Sequence, residues 1–143
     1  MRIRLIFLGK TWRAEIRSLV EDYLARIRRF APIEAIELRE GSAAAARKLE
    51  FESGATVVLL DAAGKALSSE SFAKWLGDLR DRGARELVFL CGDAEGFPEA
   101  IRRRATMKLS LSPLTFSHEL ARAVLAEQLY RAFAILAGHP YPK

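Results

Sequence analysis

The amino-acid sequence predicts an α/β protein in which a mostly parallel sheet is sandwiched by helices. Five apolar segments of strand length alternate with segments whose apolar residues recur at helical spacing. Two of them, residues 55–61 and 86–92, are continuous apolar runs, which are typical of parallel strands buried on both faces. No linker, repeat or low-complexity tract interrupts the 143 residues, so the sequence predicts a single domain over residues 1–143.

The first half of the chain supplies two strands and two helices. Residues 2–9 are apolar and β-branched and predict the first strand. Apolar residues at helical intervals predict a helix over residues 12–30, which Pro32 ends. Residues 33–38 predict the second strand, and the alanine-rich segment 41–54 predicts a short second helix.

The second half continues the alternation after the buried strand 55–61. A helix over residues 70–82 is expected to begin at a cap, either Ser68 or Ser69. After the strand 86–92, Pro98 is at a position typical of a first helical turn and predicts another short helix.

The last two elements are a strand and a long helix. Residues 107–112 predict the fifth strand, and Ser117 is expected to cap a helix over residues 118–137. Ligands of parallel α/β sheets bind beyond the carboxyl ends of the strands. The loops 61–67, 92–97 and 112–117 are therefore the predicted site.

Charge is compatible with a nucleic-acid partner without requiring one. Lys and Arg outnumber Asp and Glu by 23 to 18, which gives a net charge of +5. Positive charge is clustered in residues 25–30 and 101–104. Each cluster alone is typical of a solvated helix face. The two together on a small basic chain favour RNA binding and a solvated surface about equally.

Cysteine and hydropathy limit the other function classes. Cys91 is the single cysteine, which fits a reducing, cytosolic compartment, and its position in a predicted buried strand indicates a core residue and not a nucleophile. One cysteine and two histidines make a zinc site improbable. No apolar run is long enough to span a bilayer. We therefore expect a cytoplasmic protein with no metal and no membrane partner.

The second of the three loops is a glycine loop that has been made acidic. Asp93 and Glu95 lie between Gly92 and Gly96, where they would repel a phosphate. The dinucleotide and P-loop fingerprints are absent. Acidic residues suit a ligand with hydroxyl donors or positive charge, and S-adenosylmethionine offers both. A plain connecting loop remains the alternative.

The third loop is rich in hydroxyl groups. Ser110, Ser112, Thr115 and Ser117 could hold the edge of an adenine through backbone and hydroxyl contacts. The same residues are also common in turns and helix caps, and Ser117 is expected to act as a cap.

Three stretches of this sequence resemble one known family. They are LLDAAG (59–64), FLCGDAEGF (89–97) and KLSLSPLTFSHELARAVLAEQLYRAFAILAGHPY (108–141). They resemble the ribosomal RNA large subunit methyltransferase H family, a branch of the SPOUT, or α/β-knot, methyltransferases. The order of elements and the start MRIRLIFLGK extend the resemblance over nearly the whole chain.

The resemblance implies an activity, a cofactor and partners. It implies S-adenosylmethionine-dependent methylation of N3 of a pseudouridine in the 23S rRNA stem-loop at the ribosomal subunit interface. It also implies a homodimer and a trefoil knot in the C-terminal part of the chain. The cofactor contacts that it implies lie in the three loops noted above or directly before them. They are Leu60, Gly92, Leu111, Ser112, Pro113, Leu114, Thr115 and Phe116.

The resemblance also implies a site for the base and its RNA. His118, Tyr141 and Lys143 are the candidates for orienting or stabilising the target base, and Arg131 is a candidate phosphate contact. Glu127 precedes Arg131 by four residues, a spacing that is otherwise typical of a structural helix pair.

Two positions depart from the family pattern. Asp93 stands where the family usually has a second glycine, and aspartate can adopt positive φ at modest cost, so cofactor binding is expected to be kept. Pro142 stands where the family usually has a histidine, which leaves any proton-accepting role of that histidine open. His139 could compensate.

Two other functions compete with this one. A non-catalytic RNA-binding or ribosome-associated protein on the same fold would explain the altered tail. A nucleotide-dependent oxidoreductase is disfavoured by the missing fingerprint.

Surplus apolar residues on the last helix predict a homodimer built partly on that helix, and Trp12 and Trp75 are expected to pack in the core or at the dimer interface. The surplus residues are Leu120, Val124, Leu125, Leu129, Phe133, Ile135 and Leu136.

Overall fold

The computed structural model describes residues 1–39, 42–93 and 95–141. Within these residues five strands form one sheet in the order β2-β1-β4-β3-β5, and every pair of neighbours is parallel. The strands are β1 (Arg2–Leu8), β2 (Ile33–Leu38), β3 (Thr56–Ala66), β4 (Glu86–Cys91) and β5 (Met107–Ser110). The predicted mostly parallel α/β fold is confirmed.

Helices cover both faces of this sheet. They are α1 (Ala14–Ile27), α2 (Ser42–Arg47), α3 (Ser69–Asp81), α4 (Glu99–Arg102) and α5 (His118–Leu136). Successive strand residues point to opposite faces, so Leu5 and Phe7 pack in the core beneath α1, α3 and α5, whereas Ile6 and Leu8 pack in the core beneath α2 and α4. This two-sided burial explains the continuous apolar runs in the central strands.

The two predicted serine caps are both present. The Ser68 hydroxyl oxygen accepts a hydrogen bond from the Ser71 N–H at 3.0 Å, and the Ser117 hydroxyl oxygen accepts one from the Leu120 N–H at 3.2 Å. Each bond satisfies a donor that the first turn of a helix leaves unpaired. Ser68, and not Ser69, is therefore the cap of α3.

The first helix begins later than the sequence predicts. It starts at Ala14, because the N–H groups of Trp12 and Arg13 bind the carboxylate of Glu119 at 3.1 and 3.0 Å. Trp12 is 72% exposed, so it does not pack in the core of this chain, and its place at a dimer interface stays a prediction. Trp75 does pack inside, against the ring of Phe72 at a centroid distance of 5.6 Å.

The third strand extends further than its apolar run. The segment 61–66 was predicted as a loop, but β3 continues to Ala66 because β5 pairs with it on both sides of a bulge between Leu60 and Lys65. Gly64 lies directly on the backbone of β5, where a Cβ would come within 2.7 Å of the Lys108 carbonyl. Non-local pairing of this kind leaves no signal in local sequence.

Candidate active site

A cavity of about 600 Å³ opens at the carboxyl edge of the sheet. Its walls are the ends of β3, β4 and β5, the glycine loop and the start of α5. Such a volume suits a small organic ligand. Most of the residues predicted to contact a cofactor line this cavity, namely Leu60, Gly92, Leu111, Ser112, Leu114, Thr115 and Phe116.

Some of the lining differs from the predicted set. Pro113 is exposed and is not among the residues that line the cavity. Phe97 and Ala121 line it although the sequence did not single them out. Ala121 lies one helical turn after His118, so the spacing of α5 was the signal that could have found it. Phe97 has no comparable signal beyond its place at the end of the glycine loop.

The glycine loop uses its aspartate as a hydrogen-bond acceptor. One carboxylate oxygen of Asp93 lies 3.0 Å from both the Glu95 N–H and the Gly96 N–H. Among the described residues only glycines have positive φ, so Asp93 does not use that conformation, and Gly96 does, with φ +77°. Two loop amides are thus already paired with a carboxylate. An added phosphate would meet negative charge instead of free donors.

Gly92 allows the two ends of this loop to approach each other. A Cβ at Gly92 would lie 3.2 Å from the Gly96 Cα and 3.7 Å from the ring of Phe97. Gly92 therefore has a steric role in shaping the cavity wall, since a side chain would push the loop outward or fill the cavity.

The hydroxyl-rich loop is held largely by its own bonds. The Ser110 hydroxyl donates to the Ser112 carbonyl at 3.0 Å, and the Ser112 hydroxyl oxygen accepts from the Leu114 N–H at 3.0 Å. With Ser117 acting as a cap, three of the four hydroxyl groups shape the turn. Thr115 is exposed and lines the cavity, so it is the hydroxyl group best placed to contact a ligand.

A buried arginine supports the wall behind His118. Arg122 is fully buried, and its two terminal nitrogens donate to the Thr11 hydroxyl at 2.7 Å and to the Leu8 carbonyl at 2.6 Å. Its guanidinium lies 4.7 Å from the centre of the Phe7 ring, and burial lowers its pKa. Arg122 therefore fastens α5 to the end of β1.

His118 is the one predicted base-contacting residue that lies at the cavity in the described part of this chain. It begins α5, is exposed, and lines the cavity. Its neighbour Glu119 is fixed by the bonds to Trp12 and Arg13, which fixes the first turn of α5 as well. The imidazole is thus attached to a rigid helix end with access to solvent.

Arg131 and Tyr141 form a separate cluster further along α5. An Arg131 terminal nitrogen lies 2.7 Å from Glu127, and the Tyr141 hydroxyl donates to the same carboxylate at 2.9 Å. The Arg131 guanidinium lies 4.7 Å from the centre of the Tyr141 ring. Thirteen residues of helix separate Arg131 from His118, which is about 20 Å. One chain therefore does not bring these residues together with His118.

Cys91 and Tyr141 both have raised pKa values. Burial raises the pKa of Cys91 to about 12, which fits a core residue. Burial, the hydrogen bond with Tyr23 and the bond that Tyr141 donates to Glu127 raise the pKa of Tyr141, so it stays neutral at physiological pH. Lys143 and Pro142 lie outside the described residues.

Within the described ranges there is no group of three potential metal ligands and no helix long and apolar enough to cross a membrane.

Comparison with known proteins identifies the family. A family model described as "Predicted SPOUT methyltransferase" matches residues 1–142. Ribosomal RNA large subunit methyltransferase H of Geobacter sp. strain M21 is 42% identical, with 99% of this chain and 98% of the relative covered. The protein of that name from Koribacter versatilis is also 42% identical, with 99% and 97% covered. A solved structure, of a probable methylase family protein from Haemophilus influenzae, aligns with a TM-score of 0.56 at 10% identity, covering 95% of this chain and 66% of that one.

A parallel sheet with a ligand-sized cavity at its carboxyl edge has the arrangement in which α/β proteins bind small ligands. The chain belongs to the SPOUT methyltransferases, and within them to the family of ribosomal RNA large subunit methyltransferase H. The family implies a C-terminal trefoil knot.

Proposed function

We propose that this protein transfers a methyl group from S-adenosylmethionine to N3 of a pseudouridine in the 23S rRNA stem-loop at the ribosomal subunit interface, and that residues 1–143 act as one catalytic unit. The observation that carries the proposal is the cavity formed by the three loops that the family resemblance singled out. The family membership supplies the reaction class. A ribosomal substrate also supports a cytoplasmic location.

The cavity residues fit the proposed methyl donor. Leu60, Leu111 and Phe116 provide an apolar wall for an adenine. Asp61 and Asp93 provide carboxylates near which a sulfonium or an ammonium is favoured and a phosphate is disfavoured. When bound, S-adenosylmethionine supplies an electrophilic methyl group. None of these contacts requires a metal.

The chain's own task is to position the acceptor base and to stabilise its deprotonated form. Loss of the N3 proton leaves negative charge on the base, and a nearby donor or cation stabilises that charge. His118, exposed on a fixed helix end at the cavity, is the residue best placed to orient or stabilise the base. Tyr141 stays protonated, so it can donate a hydrogen bond or stack but cannot serve as a phenolate base.

Two copies of the chain would bring the remaining site residues to the cavity. Arg131 lies about 20 Å along α5 from His118, and neither Arg131 nor Tyr141 lines the cavity of this chain. We therefore propose that they and Lys143 serve the cavity of a partner subunit. Apolar side chains left exposed on the α1 and α5 side support a homodimer through this side; they are Trp12, Leu19, Phe30, Leu120 and Ile135. Leu125, Leu129 and Phe133 are buried within the chain itself, so the apolar surface of α5 that is available is smaller than its sequence predicts.

A methyl-transfer assay tests this function. Ribosomes from a strain lacking the protein, incubated with the protein and tritiated S-adenosylmethionine, are expected to gain one label per ribosome at a pseudouridine of the 23S rRNA. Ribosomes from the parent strain are the control and should accept little label. Ribosome binding without transfer would favour the non-catalytic alternative that the Pro142 tail suggests, and absence of donor binding in calorimetry would refute the proposal altogether.

A further inference from the structure

Three consecutive arginines extend the cavity wall onto the surface. Arg102, Arg103 and Arg104, here called the α4 arginine cluster, end and follow the short helix α4. Arg102 lines the cavity. Arg103 and Arg104 are exposed, and the side chain of Arg103 is 77% accessible. Arg102 therefore joins the cluster to the candidate active site. Arg104 lies toward the amino end of the sheet, since the Phe51 ring that it covers is also 5.8 Å from the Arg4 guanidinium.

The charge of this cluster is only partly balanced. Glu99 is the carboxylate that pairs with it, at 3.9 Å from Arg102 and 3.5 Å from Arg103. Arg104 instead lies over the ring of Phe51, with 4.5 Å to its centre. One carboxylate cannot neutralise three guanidinium groups, and exposed ion pairs at these distances are weak. The guanidinium groups can therefore exchange Glu99 for a stronger anion.

Further cations surround the cluster. Arg47 and Lys48 are exposed at the end of α2, which packs beside α4, and Lys108 is exposed on β5. Residues 98–108 contain four cations and one acid. Several cations on neighbouring elements suit an extended polyanion, and arginine matches the geometry of phosphate oxygens.

The second arginine-rich segment of the chain lies elsewhere. In residues 25–30, the Arg28 side chain donates to the carbonyl of Ile33 at 3.3 Å, and Ile33 is the first residue of β2. This segment is thus at the amino edge of the sheet, opposite the cavity. The two segments look alike in sequence. Of the two, the α4 arginine cluster is the one that reaches the cavity, through Arg102.

We propose that the α4 arginine cluster, with Arg47, Lys48 and Lys108, binds the phosphate backbone of the substrate RNA along the α2 and α4 face and leads it to the cavity at Arg102. The inference rests on the proposed function, because it names the surface that brings the RNA to that site. Phosphate contacts position a nucleic acid without selecting its sequence. The cluster therefore sets affinity and alignment, while the cavity sets the chemistry.

Salt-dependent binding of a fluorescein-labelled RNA hairpin tests this surface. The variant R103A/R104A leaves Arg102 in place, and R29A/R80A removes two exposed arginines on the opposite, α1 and α3, face of the sheet as a charge-matched control. We expect R103A/R104A to bind about tenfold more weakly at low salt and to lower the slope of log affinity against log salt by about two, one per lost phosphate contact. The control should keep the slope of the unmodified protein.

The possible outcomes separate this inference from the proposed function. An unchanged slope for R103A/R104A, or an equal loss in the control, overturns the inference. Unchanged hairpin binding with weakened ribosome binding also overturns it, since the cluster would then contact ribosomal protein. Calorimetry with S-adenosylmethionine checks that both variants retain the cavity. If the unmodified protein fails to methylate ribosomes while hairpin binding still depends on the cluster, the proposed function fails and the RNA surface stands.

Discussion

The Tyr141 hydroxyl lies 2.9 Å from a carboxylate oxygen of Glu127, and 3.1 Å from the Tyr23 hydroxyl. These bonds tie the end of the described chain to the middle of α5 and to α1. Arg131 binds the same Glu127 carboxylate at 2.7 Å and Gln128 donates to its other oxygen at 3.1 Å, so three donors share this one carboxylate. The place of Tyr141 thus depends on polar contacts that single substitutions can remove.

Deletion of residues 141–143 separates cofactor binding from catalysis. We expect S-adenosylmethionine affinity to be nearly unchanged, because the deletion leaves the cavity walls intact and the tail is proposed to contact the acceptor base. Methyl transfer to ribosomes should fall by about a hundredfold or more, the scale of losing one positioned electrostatic group. Calorimetry measures the first quantity and tritiated transfer the second.

Tyr141→Phe is the matched variant, since it keeps the ring and removes the hydroxyl. If the deleted protein methylates ribosomes at the normal rate, the tail has no part in the reaction, and the chemistry lies with His118 and the glycine loop.

Substitution of Gly92 should weaken donor binding in proportion to side-chain size. The Cβ of alanine would lie 3.2 Å from the Gly96 Cα, so Gly92→Ala strains the loop, and Gly92→Val adds atoms to the cavity wall. We expect Gly92→Ala to bind S-adenosylmethionine about tenfold more weakly, an overpacking cost of the order of 1–3 kcal/mol, and Gly92→Val to show no measurable binding. Thermal unfolding of both variants provides the control for folding. Equal affinity of Gly92→Val and the unmodified protein would contradict the assigned role.

Glu86 should make the stability depend on pH. Burial alone would raise the pKa of this carboxyl, but the Glu52 N–H and the Arg4 and Arg2 side chains outweigh burial and hold the pKa below 4.5. A carboxyl with a lowered folded pKa contributes stability above its unfolded pKa, and loses it as the pH falls through the folded value.

Glu86→Gln should therefore lower the free energy of unfolding by about 2 kcal/mol at pH 7. The difference from the unmodified protein should shrink below about pH 4.5. Urea unfolding at a series of pH values measures it. Glu99→Gln is the control, because Glu99 forms only exposed ion pairs, with Arg102 and Arg103. It should change stability by less than about 0.5 kcal/mol. A difference that does not vary with pH would contradict the assigned ionisation.

Leu120→Glu should dissociate the proposed homodimer. Leu120 is 43% exposed and follows Glu119, which holds the exposed Trp12 in place. A charge buried in an apolar interface without a partner is strongly unfavourable. Sedimentation velocity should show a dimer for the unmodified protein and a monomer for Leu120→Glu, while Ala100→Glu on the opposite face of the sheet stays dimeric. A monomer in the unmodified protein would show that the exposed apolar residues have another purpose.

The sequence was sufficient for features that depend on local chemistry. The buried runs in β3 and β4 predicted two central parallel strands, and Ser68 and Ser117 predicted the starts of α3 and α5. The carboxyl-edge rule then placed the loops that line the cavity. These successes rest on periodicity and capping, which are encoded within a few residues, and on a general rule of parallel sheets.

What the sequence could not predict depends on distant partners. Nothing local indicates that Glu119 binds the amides of Trp12 and Arg13, or that Arg122 is buried beneath the end of β1. The separation of Tyr141 from His118 likewise depends on a fold-back to Glu127. Each of these contacts joins residues whose pairing only the folded chain defines.

The order in which the cavity walls are synthesised has its own consequence. The walls near residues 60 and 92 are made well before residues 111–118, and β5 must pass beside Gly64 before the last wall exists. A growing chain therefore has two walls and no ligand site until β5 and the start of α5 have left the ribosome. A ligand stabilises only the state that binds it, so the methyl donor can reinforce the finished fold but cannot help to assemble it.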